Sequence, residues 1–148
     1  MGYRCYQARH LPTAYPFGHG LSYTSFEIGP PAASGADFRP GERLVVEVPV
    51  TNTGERAGSE VVQCYVCPPP GRLFRPPAEL KAFAKLFLQP GESKPARLEL
   101  GDRAFAHWDP ADHRWKVEPG TYRLAIARSS EDVVHHVEVE VEVEVVAE

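Results

Sequence analysis

The sequence predicts an all-β domain in which two antiparallel sheets pack face to face as a sandwich, with a non-regular segment at its N-terminus. Apolar and polar residues alternate with a period of two through most of the 148 residues, whereas convincing helical periodicity is hard to find. Proline (15 residues) and glycine (12 residues) are abundant, because many short strands require many turns. A chain of this length suits one domain with its own core.

Two strands are predicted in the first third of the chain. A short one covers residues 23–28 and a longer one covers residues 43–51, with a loop rich in proline and glycine at 29–41 between them. Four apolar side chains share one face of the longer strand, namely Leu44, Val46, Val48 and Val50. Pro49 lies on the other face, so we expect this strand to lie at a sheet edge or to carry a bulge.

Further strands follow, separated by turns that contain proline or glycine. They cover residues 59–67, 80–88, 96–100, 115–117, 122–126 and 137–145. About seven or eight short strands at this spacing are typical of a sandwich. Residues 1–20 show no alternation, and we expect them to pack against another part of the protein.

Charge and composition exclude several classes of function. The formal net charge is −4 and the sequence has no basic run, so neither nucleic acid nor a membrane surface is an expected partner. No stretch is long and apolar enough to span a bilayer. The three cysteines are an odd number, which favours a reducing compartment, and we therefore expect a cytoplasmic location.

Two groups of residues invite comparison with metal or redox sites. Cys64 and Cys67 are three residues apart, but on a strand such residues point to opposite faces, which favours two packed thiols over a redox or zinc pair. His107 and His113 flank Trp108 without a recognised ligand spacing. We therefore expect no metal and no cofactor.

A row of glutamates alternates with valines along the last predicted strand. The row comprises Glu138, Glu140, Glu142 and Glu144. Adjacent members lie about 7 Å apart and repel by about 0.6 kcal/mol in water, which is tolerable on a solvated face that Arg123 of the preceding strand can relieve. Catalytic carboxyl groups would need a cleft and separated pKa values, which a regular exposed row does not provide.

Three large aromatic residues could pack in the core or form a sugar-stacking platform. These are Trp108, Trp115 and Tyr122. Aromatic residues of a small β-domain more often lie in its core, so we favour that interpretation. Trp108 is the best candidate for an exposed platform that binds sugar.

The chain resembles one known family over most of its length. Residues 15–24, Tyr-Pro-Phe-Gly-His-Gly-Leu-Ser-Tyr-Thr, closely resemble the segment of glycoside hydrolase family 3 that leads into its C-terminal fibronectin type III-like domain. Residues 50–65 are similar to the family's V-x-N-T-G-x-x-x-G-x-E-V-x-Q-x-Y pattern, and residues 2–6 to the end of its α/β domain. Matches continue to about residue 137, with departures at Pro49, Cys64 and Cys67.

The resemblance implies an immunoglobulin/fibronectin type III-like sandwich over residues 23–148, preceded by a linker or docking segment at 1–22. It implies a parent enzyme of the β-glucosidase type, which hydrolyses terminal β-D-glycosides. In the family the nucleophilic aspartate lies in a barrel domain and the acid/base glutamate in an α/β domain. No catalytic residue can therefore be assigned to this chain, and we expect the chain alone not to be an enzyme.

The residues themselves point to a surface that binds the catalytic domains. Apolar side chains are concentrated in a stretch with little strand character, and we expect a domain-docking surface at Tyr15, Phe17, His19, Leu21 and Tyr23. The loop at 68–77 is a second candidate, because Arg72, Phe74 and Arg75 could reach a substrate cleft or a second subunit. Carbohydrate would then contact the domain only indirectly.

Three alternatives stay open. The chain could be a free-standing carbohydrate-binding module, which would require an exposed aromatic platform such as Trp108. It could be a protein-interaction module of the same fold, or a small enzyme in its own right.

Overall fold

Alternating side chains build two antiparallel sheets of four strands each, packed face to face around one core. The computed structural model describes residues 2–39, 41–71, 75–141 and 145–147. Its helices are α1 (Tyr3–Ala8) and α2 (Asp102–Phe105). Its strands are β1 (Phe26–Ile28), β2 (Ala32–Ala33), β3 (Leu44–Asn52), β4 (Gly58–Cys67), β5 (Glu79–Leu88), β6 (Ser93–Leu100), β7 (His107–Asp109), β8 (Arg114–Val117), β9 (Gly120–Ala127), β10 (Val133–Val141) and β11 (Val145–Ala147). The predicted all-β, two-sheet fold is confirmed.

The first sheet is organised around β3. This strand pairs on one side with β6 over its length, from Leu44 opposite Leu100 to Thr51 opposite Ser93. On its other side it pairs with the two short strands β1 and β2. The four residues predicted to share its apolar face are all buried, as the period of two requires.

The second sheet has the strand order β10-β9-β4-β5. Tyr122, near the start of β9, is buried and donates a hydrogen bond from its hydroxyl to the carbonyl oxygen of Glu118 at 3.0 Å. This arrangement resembles the tyrosine corner of immunoglobulin-like domains. Tyr122 is therefore a core residue, as favoured from the sequence, and Trp115 packs against the same core while partly exposed.

The interior is filled by the inward-facing residues of both sheets. Val46 and Val48 of β3 meet Val62 of β4 and Leu124 and Ile126 of β9, and all five are fully buried. Burial of one such aliphatic side chain stabilises the fold by about 1.5–3 kcal/mol. The core is therefore sufficient to hold the two sheets together.

The last long strand starts earlier than the sequence predicts. One strand was predicted at 137–145, but β10 begins at Val133 and pairs with β9 as far as Val141, which lies opposite Gly120, the first residue of β9. Val145, at the predicted end, belongs instead to β11, which pairs with β8 in a separate three-stranded sheet of order β11-β8-β7. Glu138 lies exposed opposite Arg123, in agreement with the predicted solvated row, whereas Glu142 and Glu144 lie outside the described residues.

The prediction that Pro49 marks an edge or a bulge is wrong. Pro49 lies in the central strand β3, directly opposite Pro95 of β6 and without a register shift. Antiparallel pairs alternate between hydrogen-bonded and non-hydrogen-bonded positions, and two prolines can face each other at the latter because neither N–H is needed. On the other side, Gly29 donates to the carbonyl oxygen of Pro49 at 2.8 Å, but Pro49 has no N–H to return the bond, so β1 ends at Ile28.

The N-terminal segment is not wholly irregular, because α1 occupies Tyr3–Ala8. Six residues are too few for a periodic pattern, and isolated helices of this length are unstable in water, so tertiary contacts must hold it. These contacts are described below. No helix in the described part of the chain is long and apolar enough to cross a membrane.

Cys64 and Cys67 point to opposite faces of β4, as predicted. Cys64 is buried in the core between the sheets, whereas Cys67 is half-buried on the outer face. Burial raises the pKa of the Cys64 thiol to about 12. Burial also raises the pKa of the Cys67 thiol, and the nearby Arg123 guanidinium partly opposes that rise.

Asn52, at the end of β3, is the most heavily bonded side chain of the core. Its amide donates to the carbonyl oxygens of Arg56 at 2.7 Å and Leu88 at 3.1 Å. Its side-chain oxygen accepts from the Thr24 hydroxyl at 2.7 Å and from the Gly54 N–H at 3.1 Å. The fully buried amide thus ties the N-terminal segment, the turn after β3 and the end of β5 together.

We predict that Cys64 resists alkylation in the native chain. A thiol with a pKa of about 12 is ionised at pH 8 to only about one part in ten thousand, and the thiolate is the reactive form. After brief treatment with iodoacetamide, mass spectrometry should find Cys5 modified and Cys64 intact, and both should react in denaturant. Equal labelling of Cys5 and Cys64 in the folded chain would contradict the structure.

We predict that Asn52→Ala lowers the free energy of unfolding by at least about 2 kcal/mol, because it leaves several buried backbone groups without partners. Urea denaturation measures the change. Thr53→Ala is the matched control, since that hydroxyl makes one exposed bond to the Ser25 carbonyl oxygen at 3.2 Å and should cost less than about 1 kcal/mol. Similar losses in the two variants would argue against a special role of Asn52.

Candidate docking surface

Residues 15–23, called the docking segment below, are held against the outer face of the second sheet by their backbone. Ser130 donates its N–H to the carbonyl oxygen of Phe17 at 2.8 Å, and His19 closes a turn by donating to Pro16 at 3.0 Å. Gly18 has a φ of +83° and lies so close to the Gln63 side chain that an added Cβ would collide with it. Residues 16–19 are therefore anchored on the sheet.

Anchoring of the backbone leaves the predicted docking side chains facing solvent. Leu21 and Tyr23 are 94% and 93% exposed, which is extreme for large apolar residues in a folded chain. Tyr15 stacks on His19 with ring centroids 5.6 Å apart, and Phe17 is about half exposed. All five predicted residues lie at the surface, and contiguous exposure of this kind is typical of an interaction site.

Two residues that the sequence analysis did not select extend this surface. Phe83 and Phe87 of β5 are exposed on the outer face of the second sheet. Phe83 lies opposite Gln63, which contacts the docking segment, and Phe87 lies opposite Ser59, which borders it. We call the exposed side chains of the docking segment together with Phe83 and Phe87 the apolar face.

A signal for these two phenylalanines was present in the sequence. Along β5, Phe83 and Phe87 alternate with Ala84, Leu86 and Leu88, so both faces of the strand carry apolar residues. Strands that read as nearly continuous apolar runs are those covered on both sides. The irregular alternation of residues 80–88 thus reflects apolar residues on both faces of β5.

Tyr3 fixes α1 on the same sheet. Its hydroxyl accepts a hydrogen bond from the Leu80 N–H at 2.8 Å. Its ring stacks on Phe17 with centroids 4.8 Å apart and meets Tyr65 edge-on at 5.7 Å. Small residues of β9 beneath it, such as Ala125, leave room for the ring, so a second, smaller core forms outside the sandwich.

One buried carboxylate gathers three cations at the edge of this second core. Glu79 lies 3.0 Å from Arg4 of α1, 3.5 Å from Lys81 and 3.6 Å from Arg75. Burial lowers the pKa of Lys81, and the negative charge of Glu79 opposes that fall. Glu79 therefore joins the N-terminal helix to β5 and to the base of the 68–77 loop.

Arg75 faces into the domain. Its side chain is only 7% exposed, and its guanidinium donates to the carbonyl oxygen of Phe105 at 3.2 Å and to the Tyr122 hydroxyl at 3.5 Å. Arg75 thus anchors the end of the loop, whereas Arg72 and Phe74 lie outside the described residues. The reach of this loop toward a cleft or a second subunit stays a prediction.

Trp108 lies on the small third sheet, away from the docking segment along the chain. It is 46% exposed and meets Trp115 edge-on with centroids 5.7 Å apart. The neighbouring Asp109 accepts from Lys116 at 2.8 Å, and this hydrogen bond lowers the pKa of the carboxyl group to about 2. Sugar stacking on Trp108 stays a prediction.

The histidines do not converge on a common centre. His135 makes a hydrogen bond through Nε2 with the carbonyl oxygen of Ile28 at 3.0 Å, and His136 is exposed on the outer face. Among the described residues, no group of three histidine, cysteine, aspartate or glutamate side chains could hold a metal ion.

Comparison with known proteins gives one consistent answer. The profile of the fibronectin type III-like domain matches residues 60–130. A β-glucosidase from Rhizobium radiobacter is 42% identical over 148 residues, which is 100% of this chain and 18% of that protein. The chain thus spans less than a fifth of this relative.

Solved structures agree with the sequence matches. The β-glucosidase from Kluyveromyces marxianus in complex with glucose superposes with a TM-score of 0.89 and 37% identity, over 98% of this chain and 17% of that one. The GH3 β-glucosidase from Bifidobacterium adolescentis gives a TM-score of 0.87 and 38% identity, over 96% of this chain and 21% of that one. The chain therefore belongs to the fibronectin type III-like domains that form a minor part of glycoside hydrolase family 3 β-glucosidases.

Proposed function

We propose that this chain is a non-catalytic accessory domain that packs on the catalytic domains of a β-glucosidase through its apolar face. The observation that carries this proposal is the apolar face itself, in which Leu21 and Tyr23 are almost wholly exposed between the backbone anchor at Phe17 and the side-chain hydrogen bond of Thr24. A side chain of this size left in water forgoes about 1.5–3 kcal/mol that burial would contribute. The remaining four fifths of the relatives supply the surface that would cover it.

The carboxylates of the chain are suited to ion pairing. Retaining glycosidases need two carboxyl groups about 5 Å apart, and one of them must keep its proton near neutral pH. Here, Asp109 beside Lys116 and Glu99 beside Arg97 have lowered pKa values because cationic partners stabilise the charged form. We therefore infer that the nucleophile and the acid/base lie in the other domains of the enzyme.

The fold suits a supporting role. The Thr24 hydroxyl, directly after the docking segment, donates to the Asn52 side-chain oxygen of β3 at 2.7 Å, and the Gln63 amide of the second sheet donates to the Gly18 carbonyl oxygen within the segment at 3.4 Å. The segment is thus linked to both sheets of the sandwich. A rigid support of this kind would hold two catalytic domains in a fixed relation.

The test is a chimera in which this chain replaces the matching segment of the Rhizobium radiobacter β-glucosidase. We predict that the chimera folds and hydrolyses a chromogenic β-glucoside. We also predict that Leu21→Asp combined with Tyr23→Asp lowers the yield of active chimera by at least roughly tenfold, because two apolar contacts of about 1.5–3 kcal/mol each are replaced by buried charge.

Val133→Asp is the matched control, since Val133 is an exposed apolar residue of β10 outside the apolar face. This variant should leave the chimera active. Equal activity of the docking variant and the parent chimera, with equal thermal stability, would contradict docking through Leu21 and Tyr23.

A separate prediction concerns the chain alone. Incubated at high concentration with a chromogenic β-glucoside, it should give no turnover above the uncatalysed rate, because the paired carboxyl groups of a retaining site are supplied elsewhere. Measurable hydrolysis that survives repurification would overturn the assignment as a non-catalytic domain.

A further inference from the structure

A cleft of about 480 Å³ lies between α1 and the outer face of the second sheet. Its floor is formed by Tyr65 and Ala125, and its roof by Tyr6, Gln7 and His10 of the N-terminal segment. Binding clefts for small molecules have volumes of about 300–1,000 Å³. The cleft is therefore large enough for a small organic ligand.

The cleft exists because α1 is held at its two sides and not in between. On one side Tyr3 and Arg4 bind β5, and on the other the Gln7 amide donates to the Ser130 carbonyl oxygen at 2.6 Å. Ala125 and the half-buried Cys67 are too short to fill the space beneath the helix. The fixed ends of the helix thus keep the space open.

The polar groups around the cleft offer both donors and acceptors. Arg123 and His136 line one wall with N–H donors, and the Glu131 carboxylate lies at the rim as an acceptor. Because cationic and anionic groups are both present, a neutral ligand rich in hydroxyl groups fits best.

An aromatic ring completes the site. Tyr6 lines the cleft and is partly exposed, so its ring presents an apolar surface beside the hydrogen-bonding groups. A pyranose ring likewise combines apolar and polar surfaces, with C–H groups on its faces and hydroxyl groups around its edge. We propose that this cleft is a secondary binding site for a neutral sugar of one or two pyranose rings, on an element separate from the apolar face.

This proposal goes beyond the proposed function and does not rest on it. The apolar face would bind protein, whereas the cleft binds a soluble sugar and can be tested on the 148-residue chain alone. Failure of sugar binding would leave docking untouched, and failure of docking in the chimera would leave the cleft untouched.

The experiment is a titration of the ¹⁵N-labelled 148-residue chain with cellobiose and with methyl β-D-glucopyranoside, followed by NMR. Amide shifts are expected to centre on Gln7, Ala125 and Ser130 and to saturate. Tyr6→Leu, which removes the aromatic ring and keeps an apolar side chain, should weaken binding by about tenfold, or ~1.4 kcal/mol. Arg123→Met should have a similar effect from the opposite wall.

Trp108→Ala is the matched control, because Trp108 is the other exposed aromatic candidate for sugar binding and lies on a different sheet. It should leave the affinity unchanged, and the dispersion of each spectrum shows whether a variant is folded. Shifts that centre on Trp108, equal shifts with the acyclic polyol sorbitol, or no saturable shift with either sugar would each overturn the proposal.

Discussion

One part of the outer face of the second sheet is buried beneath the N-terminal segment, and much of the structure outside the sandwich follows from this packing. On that face, Tyr65, Ala125 and Ala127 are as completely buried as residues of the main core. Neither sheet covers them. The N-terminal segment does, because the ring of Tyr3 stacks on Phe17 and meets Tyr65 edge-on, and this packing also positions the docking segment and the cleft.

The side chains of the N-terminal segment point in two directions. Tyr3 and Gln7 point toward the sheet and hold it, whereas Tyr15, Leu21 and Tyr23 point away. Electrostatics reinforces the inward contacts. Glu79 compensates the buried Arg75, and a buried ion pair that loses one partner costs about 3–5 kcal/mol, so the helix, the loop base and β5 depend on one carboxylate.

The sequence was informative wherever a residue's environment follows from its immediate neighbours. Period-two alternation predicted the long strands and their buried faces, because each strand presents one face to a single core. It failed for α1, α2, β2 and β7, which show no alternation of their own and owe their stability to distant contacts.

The candidate site was predicted in part for the same reason. The five docking residues stood out because apolar side chains were concentrated in a segment without strand character. Phe83 and Phe87 were missed because their exposure depends on which face of β5 is covered, which the alternation alone does not state. The inward direction of Arg75 also depends on the distant partners Phe105 and Tyr122.

The two prolines that face each other between β3 and β6 also determine how the first sheet can assemble. A slip of one residue would require one of these strands to turn over, which would point the nitrogen of its proline, Pro49 or Pro95, at the partner strand where the ladder requires an N–H, and would turn its buried residues toward water. The missing N–H donor and the exposed apolar residues both disfavour the shifted register. Pro49 and Pro95 therefore favour a single register between β3 and β6 and disfavour misaligned pairing while the domain folds.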